Sequence, residues 1–188
     1  MFYRKISPDV ELRTLEPSDA EELFALIDRN RDYLKRWMRW VDNIRGVEDC
    51  VASRKKALER FAEDGSFDAG IFERGKLVGM ASFHEISWLD QQASMGYWLS
   101  EDAQGRGLMT MACAAMVGHA FEELKLNRVE IRAVTDNARS RAVPERLGFR
   151  HEGVFRKAYQ LHGSFHDLEI YGLLREEWQA VGWTSEAG

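Results

Sequence analysis

Residues 104–107 read Gln-Gly-Arg-Gly, and they stand where a polar stretch gives way to a long segment of helical apolar spacing. Glycines at the start of a helix let backbone approach a ligand without an intervening Cβ. The first N–H groups of a helix have no internal partners, and its dipole end is positive. The chemistry this could do is to hold a phosphate or pyrophosphate, with Arg106 as counter-charge. A Walker loop would need G-x-x-x-x-G-K-[ST], which the chain lacks. A Rossmann turn would need a third glycine, and after Gly107 none comes until Gly118. Alone, the loop reads equally as an anion cradle or as a glycine-containing helix start without a ligand.

Other reactive types are less telling. Asp136-Asn137 is a turn signal, and Ser140 suits the N-cap of a short helix over 141–147. His162 and His166 lie four apart across a turn with no third ligand evident, so no metal is expected. Cys50 and Cys113 form no C-x-x-C, and Cys113 falls on an apolar helical face with Met109, Met116, Ala120 and Leu124, where it reads as packing.

The elements that must position these residues follow from periodicity. A strand is expected over 9–15. A helix with Ser18 as N-cap and Leu23, Leu26 and Ile27 on one face comes next, then a second helix over 47–63. Two strand-like runs meet at Arg74-Gly75, and another strand covers 92–100 before the glycine loop. A helix over 106–124, a strand over 128–135, and a short helix ended by Gly148 follow. A hairpin turning at His162-Gly163 and a helix near 175–181 close the series. The order β-α-α-β-β-β-α-β-α-β-β-α specifies an α/β (α+β) fold with helices on the faces of one mixed sheet.

The 188 residues, 45% hydrophobic and 11% aromatic, suit a single domain spanning 1–188. No apolar run reaches the roughly 20 residues of a membrane span, and the opening residues hold no signal-peptide core, so a soluble cytoplasmic protein with no membrane partner is expected. A net charge of −5, from 26 basic and 31 acidic side chains, is a poor footprint for binding nucleic acid.

Taken together, Gln104-Gly105-Arg106-Gly107-Leu108, then Asn137-Ala138-Arg139-Ser140, then Gly148-Phe149 resemble the paired signatures of the GNAT N-acetyltransferase superfamily. The first signature is [QR]-x-x-G-x-[GA], and Met109 here replaces its small last residue. "SMGYWL", "FEELKLNRVEI", "DNARSRAVPERLGF" and "HDLEIYGLLREEW" are similar to the RimJ/RimL branch, which acetylates N-terminal amines of ribosomal proteins. The likeness runs from about residue 10 to 178.

The resemblance implies a mostly antiparallel sheet of about seven strands, splayed in its middle, with four to five helices. Acetyl-coenzyme A is the implied cofactor. Met95, Gly96, Tyr97, Trp98 and Leu99 would offer backbone to pantetheine as if to another strand. The N–H groups of Gln104, Gly105, Arg106, Gly107, Leu108 and Met109 would hold the pyrophosphate. Asn137 would bond the pantetheine arm, and Ser140 would lie near the thioester sulfur. Trp37 and Trp40 fall in the region that covers the acceptor cleft of relatives. A homodimer is expected from the resemblance alone.

Acetyl transfer needs a neutral amine. At pH 7 an α-amine loses its proton for about 1.4 kcal/mol and a lysine for about 4.6 kcal/mol, so an N-terminal acceptor depends less on a base. The base candidate is Glu85, at the end of the strand "GMASFHE", also placed among the acceptor-binding residues; its neighbour His84 should point to the opposite face. The tyrosine acid of many members is replaced by Pro144, which leaves Ser140 as proton donor to the thiolate. A glutamate of some ribosomal-type enzymes is replaced by Tyr159. These departures leave open a non-catalytic acyl-coenzyme A binding module, and small amines or antibiotics remain alternative acceptors.

Overall fold

The computed structural model describes residues 2–181. Eight strands form one sheet: β1 (Tyr3–Ser7), β2 (Val10–Thr14), β3 (Asp68–Glu73), β4 (Lys76–Ser87), β5 (Gln92–Leu99), β6 (Arg128–Val134), β7 (Arg150–Leu161) and β8 (Ser164–Leu174). Their spatial order is β1-β2-β3-β4-β5-β6-β8-β7. Every neighbouring pair is antiparallel except β5 and β6. The seven expected strands are all present. The eighth, β1, pairs at the edge with β2 and has no buried side chain, so it carries no apolar alternation to read.

The α-helices are α1 (Ala20–Arg29), α2 (Arg31–Lys35), α3 (Val47–Asp64), α4 (Leu108–Glu122), α5 (Ala138–Arg146) and α6 (Arg175–Val181). The additional one is α2, only five residues long. The expected cap at Ser18 is not formed. Pro17–Asp19 make a 3-10 turn, in which the Asp19 carboxylate accepts the Glu16 N–H at 2.8 Å and pairs with Arg13 at 2.6 Å. The first helix therefore starts at Ala20. No described helix is long and apolar enough to cross a membrane.

Helices cover both faces of the sheet. On one face α4 is buried through Ala112, Cys113, Met116, Val117, Ala120 and Phe121 against Phe83, Met95, Val129 and Ile131. Burial pushes the Cys113 thiol far up, which fits its reading as a packing residue. On the other face Leu23, Leu26 and Ile27 of α1, with Leu34 and Val41, pack on Phe72, Leu77, Met80 and Trp98. An ion pair is buried on this second face: Arg54 of α3 meets Asp68 of β3 at 2.9 Å, with both side chains under 10% exposed, and Arg60 approaches Asp68 at 3.5 Å.

Two irregularities shape the site. The parallel pairing runs only from Gln92↔Arg128 to Met95↔Ile131; beyond it β6 continues with β8 as far as Val134↔Leu168. From Gly96 onward β5 thus parts from β6, and the sheet opens in a wedge. The second irregularity is a register shift in β4 between Phe83 and Glu85. Phe83 and Ile86 both enter the core on the α4 side, so the two residues between them, His84 and Glu85, both turn to the opposite face. The expected separation of His84 from Glu85 is corrected by this bulge, since strict alternation fails where one strand carries an extra residue.

Candidate active site

The wedge is the floor of a cleft of about 1010 Å³. Its walls come from β5, the loop into α4, α5 and the α2 segment. Gly105 and Gly107 adopt φ of +76° and +77°, in the left-handed region that only glycine enters freely. Gly107 caps α4, and the first helical bond is Met111 N–H to Gly107 C=O at 3.0 Å. Among the described residues, the backbone N–H groups of residues 105–110 have no hydrogen-bond partner, whereas Gln104 N–H reaches Glu101 C=O at 3.4 Å. A Cβ built on Gly105 or Gly107 would meet nothing within 4 Å. Six unpaired donors at the positive end of a helix, facing open space, fit a pyrophosphate.

The Arg106 side chain does not join this cradle. Its guanidinium pairs with Glu73 of β3 at 2.6 Å, and the residue lies outside the cleft lining. The cations on the α5 wall are Arg139 and Arg146. Arg139 donates to Gln104 Oε1 at 2.8 Å, and Gln104 Nε2 donates to the Tyr33 hydroxyl, so a polar strap joins α5 to α2 across the cleft. Tyr33 belongs to the run "YLKRWMRWVD" that the resemblance places over the acceptor cleft, whereas nothing in the sequence marks Arg146.

At the start of α5 the cap falls on Asn137 and not, as expected, on Ser140. Asn137 is the N-cap, and its Oδ1 accepts the Ser140 N–H at 3.1 Å; Ser140 lies within the first turn. The Ser140 hydroxyl has no hydrogen-bond partner among the described residues and faces the cleft. Its carbonyl accepts the Tyr97 hydroxyl at 2.8 Å, and burial raises the Tyr97 pKa far above the ordinary phenol value. Tyr97 is therefore held as a neutral donor committed to backbone. Asn137→Ala is expected to cost about 1 kcal/mol of stability through loss of the cap, and Asn137→Asp to recover most of it, as read from urea midpoints.

The other expected site residues fall in two groups. Tyr97, Trp98, Leu99, Leu108, Met109 and Trp37 line the cleft. Met95, Gly96, Trp40 and Glu85 do not. Met95 is in the core under α4, and Trp40 stacks at 6.0 Å, tilted, behind Trp98. Glu85 is exposed opposite Ser94, on the paired part of β5. Gly96 is the first β5 residue past that pairing.

One further contact frames the cleft. The β7–β8 hairpin reaches back across the wedge to α2 and its flank. Tyr159 donates to the Trp37 carbonyl at 3.2 Å, His162 bonds the Lys35 carbonyl at 2.6 Å, and Arg39 lies 5.0 Å over the Tyr159 ring. His162 is thus committed to this bridge, and no group of three potential metal ligands occurs among the described residues.

A family model described as an acetyltransferase (GNAT) domain matches residues 9–150. The chain is 38% identical to "Putative ribosomal N-acetyltransferase YdaF" of Bacillus subtilis, over 95% of this chain and 98% of that protein. It is 29% identical to the ribosomal-protein-serine acetyltransferase of Escherichia coli, over 89% and 93% of the two chains. Among solved structures, RimL, a ribosomal L7/L12 α-N-protein acetyltransferase in complex with coenzyme A, superposes with a TM-score of 0.90 at 26% identity, covering 94% of this chain and 99% of that one. With the wedge, the glycine cradle and the capped α5 in place, this chain belongs to the GNAT family of acetyltransferases.

Proposed function

We propose that the protein transfers the acetyl group of acetyl-coenzyme A to the N-terminal α-amine of a protein or peptide, in a ternary complex. The observation that carries this reading is a cleft with a separate provision at each end. At the α4–α5 end lie the unpaired N–H groups of residues 105–110, suited to a pyrophosphate. At the other end Trp37 lines the cleft, and its segment is tied to the β7–β8 hairpin by Tyr159 and His162. An α-amine needs less help from a base than a lysine, which suits a cleft whose lining does not include Glu85. The charged groups around the bridge are mixed, with Arg39 and Lys35 beside Asp42, and do not form the acidic basin a polycation would need.

The ends of the cleft divide the work. The cradle and Asn137 would hold the cofactor, the edge of β5 from Gly96 to Leu99 would receive pantetheine, and Trp37 would pack against the incoming terminus. When bound, acetyl-coenzyme A supplies an activated thioester carbonyl. Ser140 Oγ then stands at the N-terminal turn of α5, where a proton donor to the leaving sulfur is of use.

The test is thiol release from acetyl-coenzyme A with three acceptor sets: peptides with free N-termini, N-terminally blocked peptides containing lysine, and polyamines. Release with the first set alone is expected. Turnover confined to polyamines or blocked peptides would refute the α-amine assignment, and no turnover with any set would refute the reading altogether.

A further inference from the structure

The bulge in β4 turns Glu85 to the face that His84 already occupies by alternation from Ala81 and Phe83, and of the two His84 has the more informative position. A Cβ built on Gly96 would stand 2.0 Å from His84 Nε2 and 2.9 Å from its Cε1. The imidazole therefore lies on the bare backbone of Gly96. Gly96 is the residue at which β5 leaves β6, the apex of the wedge. The ring is on the face away from α4, the face on which α1 and Leu34 pack against Met80 and Trp98. Glu85 is directed to the same face but stands opposite Ser94, beside strand that is still paired.

From this geometry we infer that His84 Nε2, and not the Glu85 carboxylate, is the general base of acetyl transfer. The inference rests on the acetyltransferase reading proposed above. The amine lone pair forms the C–N bond to the thioester carbonyl carbon, and the π pair moves to oxygen. The resulting ammonium nitrogen gives one proton to Nε2 of a neutral imidazole whose own proton is on Nδ1. The carbonyl re-forms, the C–S pair leaves on sulfur, and sulfur takes the Ser140 hydroxyl proton. Water afterwards removes the proton from His84 and returns one to Ser140, so that amine and thioester yield amide and thiol without net change in charge.

The surroundings keep the ring neutral. Burial against the sheet lowers the His84 pKa below the usual histidine value of 6.5, Asp68 of β3 opposes this, and Arg60 of α3 adds to it. Asp68 is itself engaged by Arg54 and Arg60. Glu85 on the same strand and Glu130 of β6, paired with Arg128 and Arg132, are directed to this face, and the α2–hairpin bridge adds Lys35, Arg39, Asp42 and His162. A glycine at 96 is what gives the ring its place, since a side chain there would occupy the same space.

The experiment compares wild type, His84→Gln, Glu85→Gln and Gly96→Ala in thiol release with a free-N-terminus peptide, alongside calorimetric affinity for coenzyme A. The kcat of His84→Gln is expected to fall about 100-fold, with coenzyme A affinity kept within about twofold. Glu85→Gln is expected to fall less, and Gly96→Ala to fall in the direction of His84→Gln because its methyl displaces the ring. The wild-type kcat should rise with pH through a single ionisation below 6.5, and His84→Gln should lack that limb. Separately, the imidazole resonances of His84 should titrate below 6.5 in the free protein. A wild type that turns over while His84→Gln keeps both kcat and the acid limb overturns the inference and spares the enzyme reading. Loss of the limb in Glu85→Gln alone also overturns it. A wild type that binds coenzyme A but acetylates nothing overturns both.

Discussion

Arg54→Met is expected to lower the free energy of unfolding by about 3 kcal/mol, with the urea midpoint reduced and the slope of the transition unchanged. Arg54 and Asp68 are buried together between α3 and β3, so removing the guanidinium leaves a carboxylate with little water. Breaking a buried pair generally costs about 3–5 kcal/mol, because the surviving charge keeps its desolvation penalty and loses its partner. The lower end applies here because Arg60 remains 3.5 Å from the same oxygen. The double replacement Arg54→Met with Asp68→Leu removes both charges and is expected to recover most of the loss. A double variant as unstable as the single one would show that the carboxylate is not the source of the cost.

The second large effect concerns turnover. Ser140→Ala is expected to reduce kcat about 100-fold with coenzyme A affinity within about twofold, if the hydroxyl protonates the leaving thiolate as proposed. The cap of α5 uses the Ser140 N–H and the Asn137 side chain, neither of which the substitution removes. Stability is therefore expected to change by less than about 0.5 kcal/mol. A parallel fall in affinity or in the unfolding midpoint would instead mark Ser140 as a packing residue. Pro144, which has no proton to give, and Tyr97, whose hydroxyl is committed to the Ser140 carbonyl, are the nearest competing positions, and neither offers a free donor.

Much of this architecture was legible because it repeats a period. The strands β2 to β6 and β8 and the helices α1, α3 and α4 carry enough apolar positions to declare themselves, whereas β7 and α5 are read from the turn at His162-Gly163 and from Ser140 and Gly148. Edge strand β1 buries no side chain, and α2 spans barely more than one turn, so neither generates a period. The cap of α1 was misplaced by one residue because Pro17 begins a 3-10 turn whose acceptor is Asp19, a contact fixed by Arg13 from β2.

The site was legible where backbone does the work. Gly105 and Gly107 announce left-handed geometry at a helix start whatever surrounds them. Side-chain roles were less so, because they depend on partners distant in sequence. Arg106 looked like a phosphate ligand until Glu73, 33 residues earlier, was found against it. The β4 bulge has no sequence signature at all, and one extra residue reverses which face Glu85 occupies, bringing it beside His84. Trp37 borders the cleft, whereas Trp40 lies within the 3-10 turn Arg39–Asn43 and backs Trp98.

The parting of β5 from β6 also has a mechanical side. Strands β1 to β5 and strands β6, β8 and β7 are two plates joined by four parallel register pairs, Gln92↔Arg128 to Met95↔Ile131. The plates are also joined by α4, which packs on Met95 and on Ile131, by the Tyr97 bond to Ser140, and by the hairpin tip on α2, held by the Tyr159 and His162 bonds to main-chain carbonyls. Bonds of that kind contribute about 1 kcal/mol each, far less than a continuous ladder of strands, so the tip yields first under thermal motion. The four-pair rung and the core under α4 are then the firm joint between the plates, and the hairpin tip is where amide exchange is expected to be fastest.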